Sequence, residues 1–180
     1  MPCRLRAAPL AAALVTFFVG GEVLAQCTAF PAPGVEWRRC LHDGDDFAGA
    51  DLTGADMRDS SFRRAIFDEA ILADIRARRA RFTSASMVGV DLSGADLTLA
   101  EFTSADLTEA SFVGATLRRT SFINATLRGA DFTDADTLEA DFARADFSGA
   151  TWIDGATVCA EGSIGGCRPM RGERTGEISN

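Results

Sequence analysis

The chain has 180 residues, a length that suits one domain and is short for two. Hydrophobic residues make up 47% of it, which excludes a chain that is disordered throughout. The chain has 18 arginines and no lysine. Its formal net charge is −8, so nucleic acid and anionic lipid are disfavoured as default partners.

Residues 1–25 have the composition of a signal peptide. Arg4 and Arg6 precede an apolar run at 10–19, which is shorter than the about 20 residues that a membrane-spanning helix needs. Small and apolar residues then predict cleavage after Ala25. The mature protein would be secreted or periplasmic and would not span a membrane.

Four cysteines remain after this cleavage, and they lie at positions 27, 40, 159 and 167. An even number of cysteines in an exported protein predicts disulfides, and four cysteines allow three pairings. A lipid anchor on Cys27 is an alternative use of that residue. It would need a small residue immediately before the cysteine, where Gln26 stands.

A five-residue repeat runs without insertion through residues 45–154. The central position of its 22 quintets is large and apolar except at Ala77 and Thr137, and the residue two places earlier is alanine in 17 of them. A period of five matches neither an α-helix nor a flat strand. The pattern therefore predicts a chain that turns regularly and places one small and one large side chain inside per quintet.

Quintets such as residues 50–54 (Ala-Asp-Leu-Thr-Gly) closely resemble the signature of the pentapeptide-repeat family. The resemblance covers residues 45–154. It implies an all-β fold, the right-handed quadrilateral β-helix, with four quintets in each coil and about five and a half coils. The central side chain of each quintet would lie inside.

Four quintets per coil would stack residues that are 20 positions apart. One resulting column contains only phenylalanine, and a neighbouring column collects both Ala77 and Thr137. Large rings on one side and smaller side chains on the next would keep the interior volume constant. We therefore expect a core ladder formed by Phe62, Phe82, Phe102, Phe122 and Phe142.

The resemblance also assigns the two ends of the rod. Residues 26–44 would form an N-terminal lead-in or cap, residues 155–167 a disulfide-closed C-terminal cap, and residues 168–180 a flexible tail. A disulfide needs Cα atoms within about 7 Å, and a rod holds its two ends further apart. The implied pairs are Cys27–Cys40 and Cys159–Cys167.

A column of aspartates precedes the central residues of the quintets. Such a column could bind calcium or mimic the phosphates of DNA. Aspartate also accepts hydrogen bonds from nearby backbone amides in turns, and the glycine-rich calcium-binding β-roll pattern is absent. We therefore interpret the column as structural. Its members are Asp46, Asp51, Asp56, Asp91, Asp96, Asp106, Asp131, Asp136, Asp141 and Asp146, together with Glu101.

Stacking of successive coils gathers arginines into a possible binding stripe on two adjacent faces. The stripe could dock an acidic protein, a sulfated or phosphorylated glycan, or lipid headgroups. The alternative is a solvated surface whose arginines pair with Asp59, Asp68, Glu69 and Asp74. The predicted stripe consists of Arg58, Arg63, Arg64, Arg78, Arg79, Arg118 and Arg119.

No catalytic constellation is recognisable in the sequence. His42 is the only histidine, and nothing indicates a second group that converges on it. We expect no enzyme activity, cofactor or metal, and predict an exported binding scaffold that works through its rod faces. Some pentapeptide-repeat proteins mimic DNA and modulate type II topoisomerases, so the resemblance adds that role as an alternative that requires a cytosolic location.

Overall fold

The computed structural model describes residues 27–170, so the predicted signal peptide and residues 171–180 of the predicted tail lie outside the described residues. From Glu36 to Thr151 the backbone repeats a single β-bridge residue and a two-residue turn in every quintet. Twenty parallel bridges join residues that are 20 positions apart, from Glu36–Asp56 to Asp131–Thr151. Each coil is therefore four quintets long and turns once in each quintet, and each strand is reduced to one bridged residue.

The turn in each quintet has one defined backbone geometry. In residues 52–55 the N–H of Ala55 donates to the carbonyl of Leu52 at 3.0 Å, and the third residue, Gly54, has a φ of 68°. A positive φ at the third residue of a hydrogen-bonded turn is typical of a type II β-turn. Fifteen residues other than glycine adopt the same conformation at the equivalent position. It costs an L-residue about 1–2 kcal/mol, so the bonds between coils must impose it.

Hydrogen bonds between coils supply that constraint. In the quintet 90–94 the N–H of Asp91 donates down to Ala70, while the N–H groups of Leu92 and Gly94 donate up to the next coil, at distances of 2.8–3.0 Å. The N–H of Val90 closes the preceding turn at 3.3 Å. Four of the five amides are thus satisfied by backbone, and only the amide after the central residue needs another partner.

The interior is filled by stacked rings. Along the ladder from Phe62 to Phe142, successive ring centroids are 4.9–5.3 Å apart and the ring planes differ by 6–13°. Phe102, in the middle, is fully buried. A second pair of rings, Phe112 and Phe132, stacks at 4.9 Å on the opposite side of the interior. The coil is therefore four-sided, and its interior is filled by its own side chains.

The coil begins at Glu36, within the segment that the sequence predicts as lead-in. Trp37 and His42 take the central positions of the first two quintets and are 0% and 7% exposed. The ring of His42 stacks on Phe62 at 5.5 Å and so extends the phenylalanine ladder by one level. Sequence periodicity does not show this start, because Val35 and Cys40 occupy the positions where alanine is expected.

Both ends of the rod carry a disulfide, in the pairing that the sequence predicts. Cys27 is bonded to Cys40, with Cα atoms 5.3 Å apart, and Cys159 is bonded to Cys167, with Cα atoms 5.0 Å apart. Beyond Thr151 the bridges become antiparallel and fold the chain back over the last coil. These bridges are Asp146–Ile164, Thr151–Val158 and Cys159–Pro169. The last bridge and the bond from the N–H of Met170 to Val158 join residues 168–170, predicted as the start of the tail, to the cap.

Four outer faces result, and each is named here by the central residues that lie behind it. Face 1 has His42, Phe62, Phe82, Phe102, Phe122 and Phe142. Face 2 has Phe47, Phe67, Met87, Leu107, Leu127 and Phe147. Face 3 has Leu52, Leu72, Leu92, Phe112, Phe132 and Trp152. Face 4 has Trp37, Met57, Ala77, Leu97, Leu117 and Thr137, and it is followed around the coil by face 1.

Replacing one ring of the ladder should destabilise the whole rod. We expect Phe102→Ala to lower the free energy of unfolding by about 3–5 kcal/mol, because it leaves a cavity between two stacked rings. Thr103→Ala changes the adjacent, solvent-facing residue and should alter it by less than about 0.5 kcal/mol. Urea unfolding followed by circular dichroism measures both. Equal losses for the two variants would contradict the stacked interior.

Candidate functional site

In ten quintets, the aspartate column satisfies the one amide that the backbone leaves without a partner. In the quintet 90–94 the carboxylate of Asp91 accepts the N–H of Ser93 at 2.9 Å. All ten aspartates of the column make this contact with the amide two residues later, at 2.9–3.4 Å. The column is therefore structural, as the sequence predicts.

Two quintets without this aspartate borrow one from the coil below. Ser61 and Ser86 stand where aspartate is usual. The N–H of Arg63 instead donates to Asp43, and the N–H of Val88 donates to Asp68, both at 3.0 Å and both from one coil to the next. The same amide is thus satisfied by a local or by an inter-coil carboxylate.

Charge is distributed unevenly around the rod. Within residues 35–154, the quintets of faces 2 and 3 contain 13 acidic residues and one arginine, whereas those of faces 4 and 1 contain nine acidic residues and 12 arginines. The net charge is therefore −12 on faces 2 and 3 and +3 on faces 4 and 1. Since the two basic faces adjoin each other, one side of an acidic rod is positive and offers a surface for an anionic partner.

The predicted stripe arginines lie on this basic side. Arg58, Arg78 and Arg118 occupy one column at the corner that joins faces 4 and 1, and Arg79 and Arg119 follow them at the turn residue with positive φ. We call this the arginine corner. Arg63 and Arg64 are exposed at the next corner, on face 1, where they flank the carboxylate of Asp43.

The arginine corner has two further members, which lie outside the predicted stripe. Arg38 and Arg39 lie one coil below Arg58, and both are exposed. The signal that could have found them is the same step of four quintets, continued below the first recognised quintet.

Asp56 organises the lower part of the arginine corner. Its carboxylate is 3% exposed and accepts two hydrogen bonds from Arg58, at 2.6 and 2.8 Å. Arg76 and Arg38 lie 3.6 and 3.8 Å away. Burial alone would raise the pKa of Asp56, but the hydrogen bonds from Arg58 and the nearby charges outweigh it and lower the pKa. The guanidinium of Arg58 is therefore engaged in hydrogen bonds with a buried carboxylate.

Higher on the corner, two arginines are bound tightly and two are not. Arg79 donates to Asp59 and Arg119 donates to Glu139, each at 2.6 Å, and these bonds lower the pKa of both carboxyl groups. Arg78 lies 3.9 Å from Asp96, and Arg118 lies 3.7 Å from Asp136. These distances exceed a hydrogen bond, so the guanidinium donors of the second pair remain available.

A groove of about 460 Å³ lies between Arg78 and Arg118. It is lined by Thr98, Leu99 and Arg119, and at its upper edge by Leu138 and by Glu139, which accepts the hydrogen bond from Arg119. Leu99 is 40% exposed and Leu138 is 51% exposed. The arginine corner thus combines free cationic donors with apolar surface.

Residues 27–170 show neither a candidate metal site nor a candidate membrane-spanning helix. Within this range no cluster of three or more His, Cys, Asp or Glu side chains could hold a metal ion, and no helix has the length and apolarity needed to cross a membrane. His42 is buried. Its Nδ1 lies 2.9 Å from a carboxylate oxygen of Asp45, and its ring packs in the core.

Comparisons with known proteins point to one family. The model described as "pentapeptide repeat region" matches residues 55–132, and the model described as "pentapeptide repeats (8 copies)" matches residues 127–151. Comparison with curated proteins gives no match.

Several solved structures are similar to this chain. The pentapeptide repeat protein Rfr23 of the cyanobacterium Cyanothece 51142 is 30% identical with a TM-score of 0.44, and the match covers 44% of this chain and 54% of that one, about half its length. A pentapeptide repeat protein of the Arabidopsis thaliana thylakoid lumen is 26% identical with a TM-score of 0.43, over 73% of this chain and 86% of that one. QnrB1, a plasmid-mediated fluoroquinolone resistance protein, is 26% identical with a TM-score of 0.33, over 66% and 65%.

Removing the buried carboxylate should destabilise the rod in a pH-dependent way. The pKa of Asp56 is below its ordinary value of 3.8, so its contribution to stability is present above that pH and is lost as the pH falls through the folded-state pKa. Asp56→Asn should therefore lower the free energy of unfolding by about 1–3 kcal/mol at pH 7 and by less at pH 3.

Urea unfolding at pH 7 and pH 3 measures this difference. Asp134→Asn removes the same charge at a turn residue of face 3 whose φ of 58° asparagine tolerates, and it should have a smaller effect at pH 7. A loss for Asp56→Asn that is the same at both pH values would contradict the role assigned to the charged carboxylate.

Proposed function

The chain belongs to the pentapeptide-repeat family, and on that basis we propose that it is an exported, non-enzymatic binding scaffold whose arginine corner docks the acidic surface of a partner protein. The observation that carries the proposal is the charge separation across the rod, −12 against +3. Proteins of this family form right-handed quadrilateral β-helices and are generally structural rather than catalytic. The outer faces are then the surfaces through which the rod acts.

The arginine corner supports a protein partner by its composition. Protein interfaces are enriched in arginine and combine it with apolar surface. Here Arg78 and Arg118 retain free donors, and Leu99 and Leu138 are exposed beside them. The negative charge of faces 2 and 3 would repel an acidic partner, so it would orient the rod as the two proteins approach.

Export is supported by the cysteines and by the start of the chain. Two disulfides close the ends of the rod, and disulfides persist mainly outside the reducing cytoplasm. The signal-peptide composition of residues 1–25 is consistent with this location.

A second candidate is the DNA-mimicking modulator of a type II topoisomerase. It is favoured by faces 2 and 3, which carry 13 acidic residues and a single arginine. It requires a cytosolic protein, in which the two disulfides would tend to be reduced. Addition of the protein to a DNA supercoiling assay tests it directly, and inhibition at stoichiometric concentration would favour this candidate over the scaffold.

Charge removal from the arginine corner should abolish partner capture. We expect acidic proteins to be cross-linked by the wild type in the exported fraction and to be lost with Arg78→Gln/Arg118→Gln, with affinity at least about tenfold lower. Arg58 is left unchanged because it holds the buried Asp56.

The matched control is Arg128→Gln/Arg144→Gln, which removes two arginines that lie outside the corner. It should capture the same proteins as the wild type. Retention of every partner by the corner variant would refute the proposed docking.

The exported form should begin at Gln26 and contain two disulfides. Intact-mass spectrometry of the protein from its native source, before and after reduction and alkylation, measures both features. An unprocessed N-terminus together with free thiols at Cys27, Cys40, Cys159 and Cys167 would contradict export and revive the cytosolic alternative.

A further inference from the structure

We propose that the groove between Arg78 and Arg118 recognises an extended segment of the partner that carries two carboxylates with an apolar side chain between them. This inference rests on the docking of an acidic protein proposed above and narrows it to one short motif. The carboxylates would pair with Arg78 and Arg118, and the apolar side chain would lie over Leu99.

Leu99 is the first reason to single out this groove. Fifteen residues other than glycine have a positive φ among residues 27–170, and Leu99 is the only apolar one. Its φ is 61°, a conformation that disfavours a branched L-residue, and its side chain is 40% exposed. This conformation costs free energy that a glycine would not lose, and strained residues of this kind concentrate at functional sites.

The position of Leu99 in the column is the second reason. Coils below and above place an arginine pair at this corner, Arg78–Arg79 and Arg118–Arg119, whereas the coil between them places Thr98 and Leu99 there. The result is a short apolar step between two cationic levels, and Leu138 adds apolar surface at its upper edge. Sulfate or phosphate groups could pair with the arginines but would make no use of Leu99, so a peptide matches the groove better than a glycan does.

Available donors at both levels are the third reason. Arg78 and Arg118 are about half exposed, and they lie 3.9 and 3.7 Å from the nearest carboxylate oxygens. Neither makes a side-chain hydrogen bond within the part of the chain that the structure describes. Each guanidinium can therefore donate two hydrogen bonds to one carboxylate, in the geometry that arginine favours.

The spacing of the two levels restricts the motif. Arg78 and Arg118 are two coils apart, about 9.6 Å at the usual ~4.8 Å between strands. A polyproline II segment rises about 3.1 Å per residue and repeats every three residues, or about 9.3 Å. Acidic residues three positions apart on such a segment lie on one side and match this distance.

The experiment uses two fluorescein-labelled peptides and the protein that begins at Gln26. One peptide is Gly-Ser-Glu-Pro-Leu-Glu-Pro-Ser-Gly, and the other has the same composition with its two glutamates adjacent. Fluorescence anisotropy should show the first peptide binding at least about fivefold more tightly than the second. Arg78→Gln/Arg118→Gln should weaken its binding about tenfold or more.

Two matched variants separate the groove from general electrostatics. Arg63→Gln/Arg64→Gln removes the same charge from the next corner of face 1 and should change binding by less than about twofold. Leu99→Gly and Ser104→Gly both place glycine at a positive φ, so neither should lower the Tm. Only Leu99→Gly should lower the affinity for the first peptide, by severalfold.

The outcomes distinguish this inference from the proposed function. Unchanged peptide binding in Leu99→Gly, or equal losses in the two double-arginine variants, would overturn the groove while leaving docking by the corner intact. If the peptide does not bind and heparin binds equally to the wild type and to Leu99→Gly, peptide recognition by the groove would be refuted in favour of a sulfated glycan. Loss of cross-linked partners is measured separately and decides the proposed function alone.

Discussion

The hydrogen-bond ladder between coils is the constraint on which the rest of the structure depends. It fixes the register at four quintets per coil, and this places Phe102 directly between two other rings. The same register holds residues such as Arg79 and Leu99 in a left-handed conformation that they would not choose alone. Every surface feature follows from it, because a side chain's face is determined only by its position within the coil.

Most of the fold could be predicted from the sequence because its period is strict. The columns of alanine and large apolar residues determine which side chains are inside, and the step of four quintets aligns the phenylalanines. The start at Glu36 could not be predicted, because Val35 and Cys40 conceal the alanine column. The hydrogen bond from the N–H of Val88 to Asp68 could not be predicted either. Asp68 lies in the coil below and replaces the local aspartate that this quintet lacks.

The candidate site was predictable only in part. Stacking places Arg58, Arg78 and Arg118 in one column, but sequence alone does not show that Arg58 is engaged by a buried carboxylate while the other two are not. Leu99 carries no signal in the sequence, where it looks like any exposed leucine. Only its φ of 61° distinguishes it from the other exposed leucines. The groove that we propose as a binding surface thus lies where the local preference of a residue conflicts with the register.

Cross-linking between engineered cysteines tests the register of four quintets per coil most directly. The account predicts that Thr83→Cys/Thr103→Cys forms a disulfide in air, because equivalent residues of successive coils lie about 4.8 Å from each other, within the range for a disulfide. Thr83→Cys/Thr98→Cys joins positions three quintets apart that lie on different corners, so this pair should remain reduced. Oxidation of the second pair in preference to the first would contradict the coil on which the faces, the arginine corner and the groove all rest.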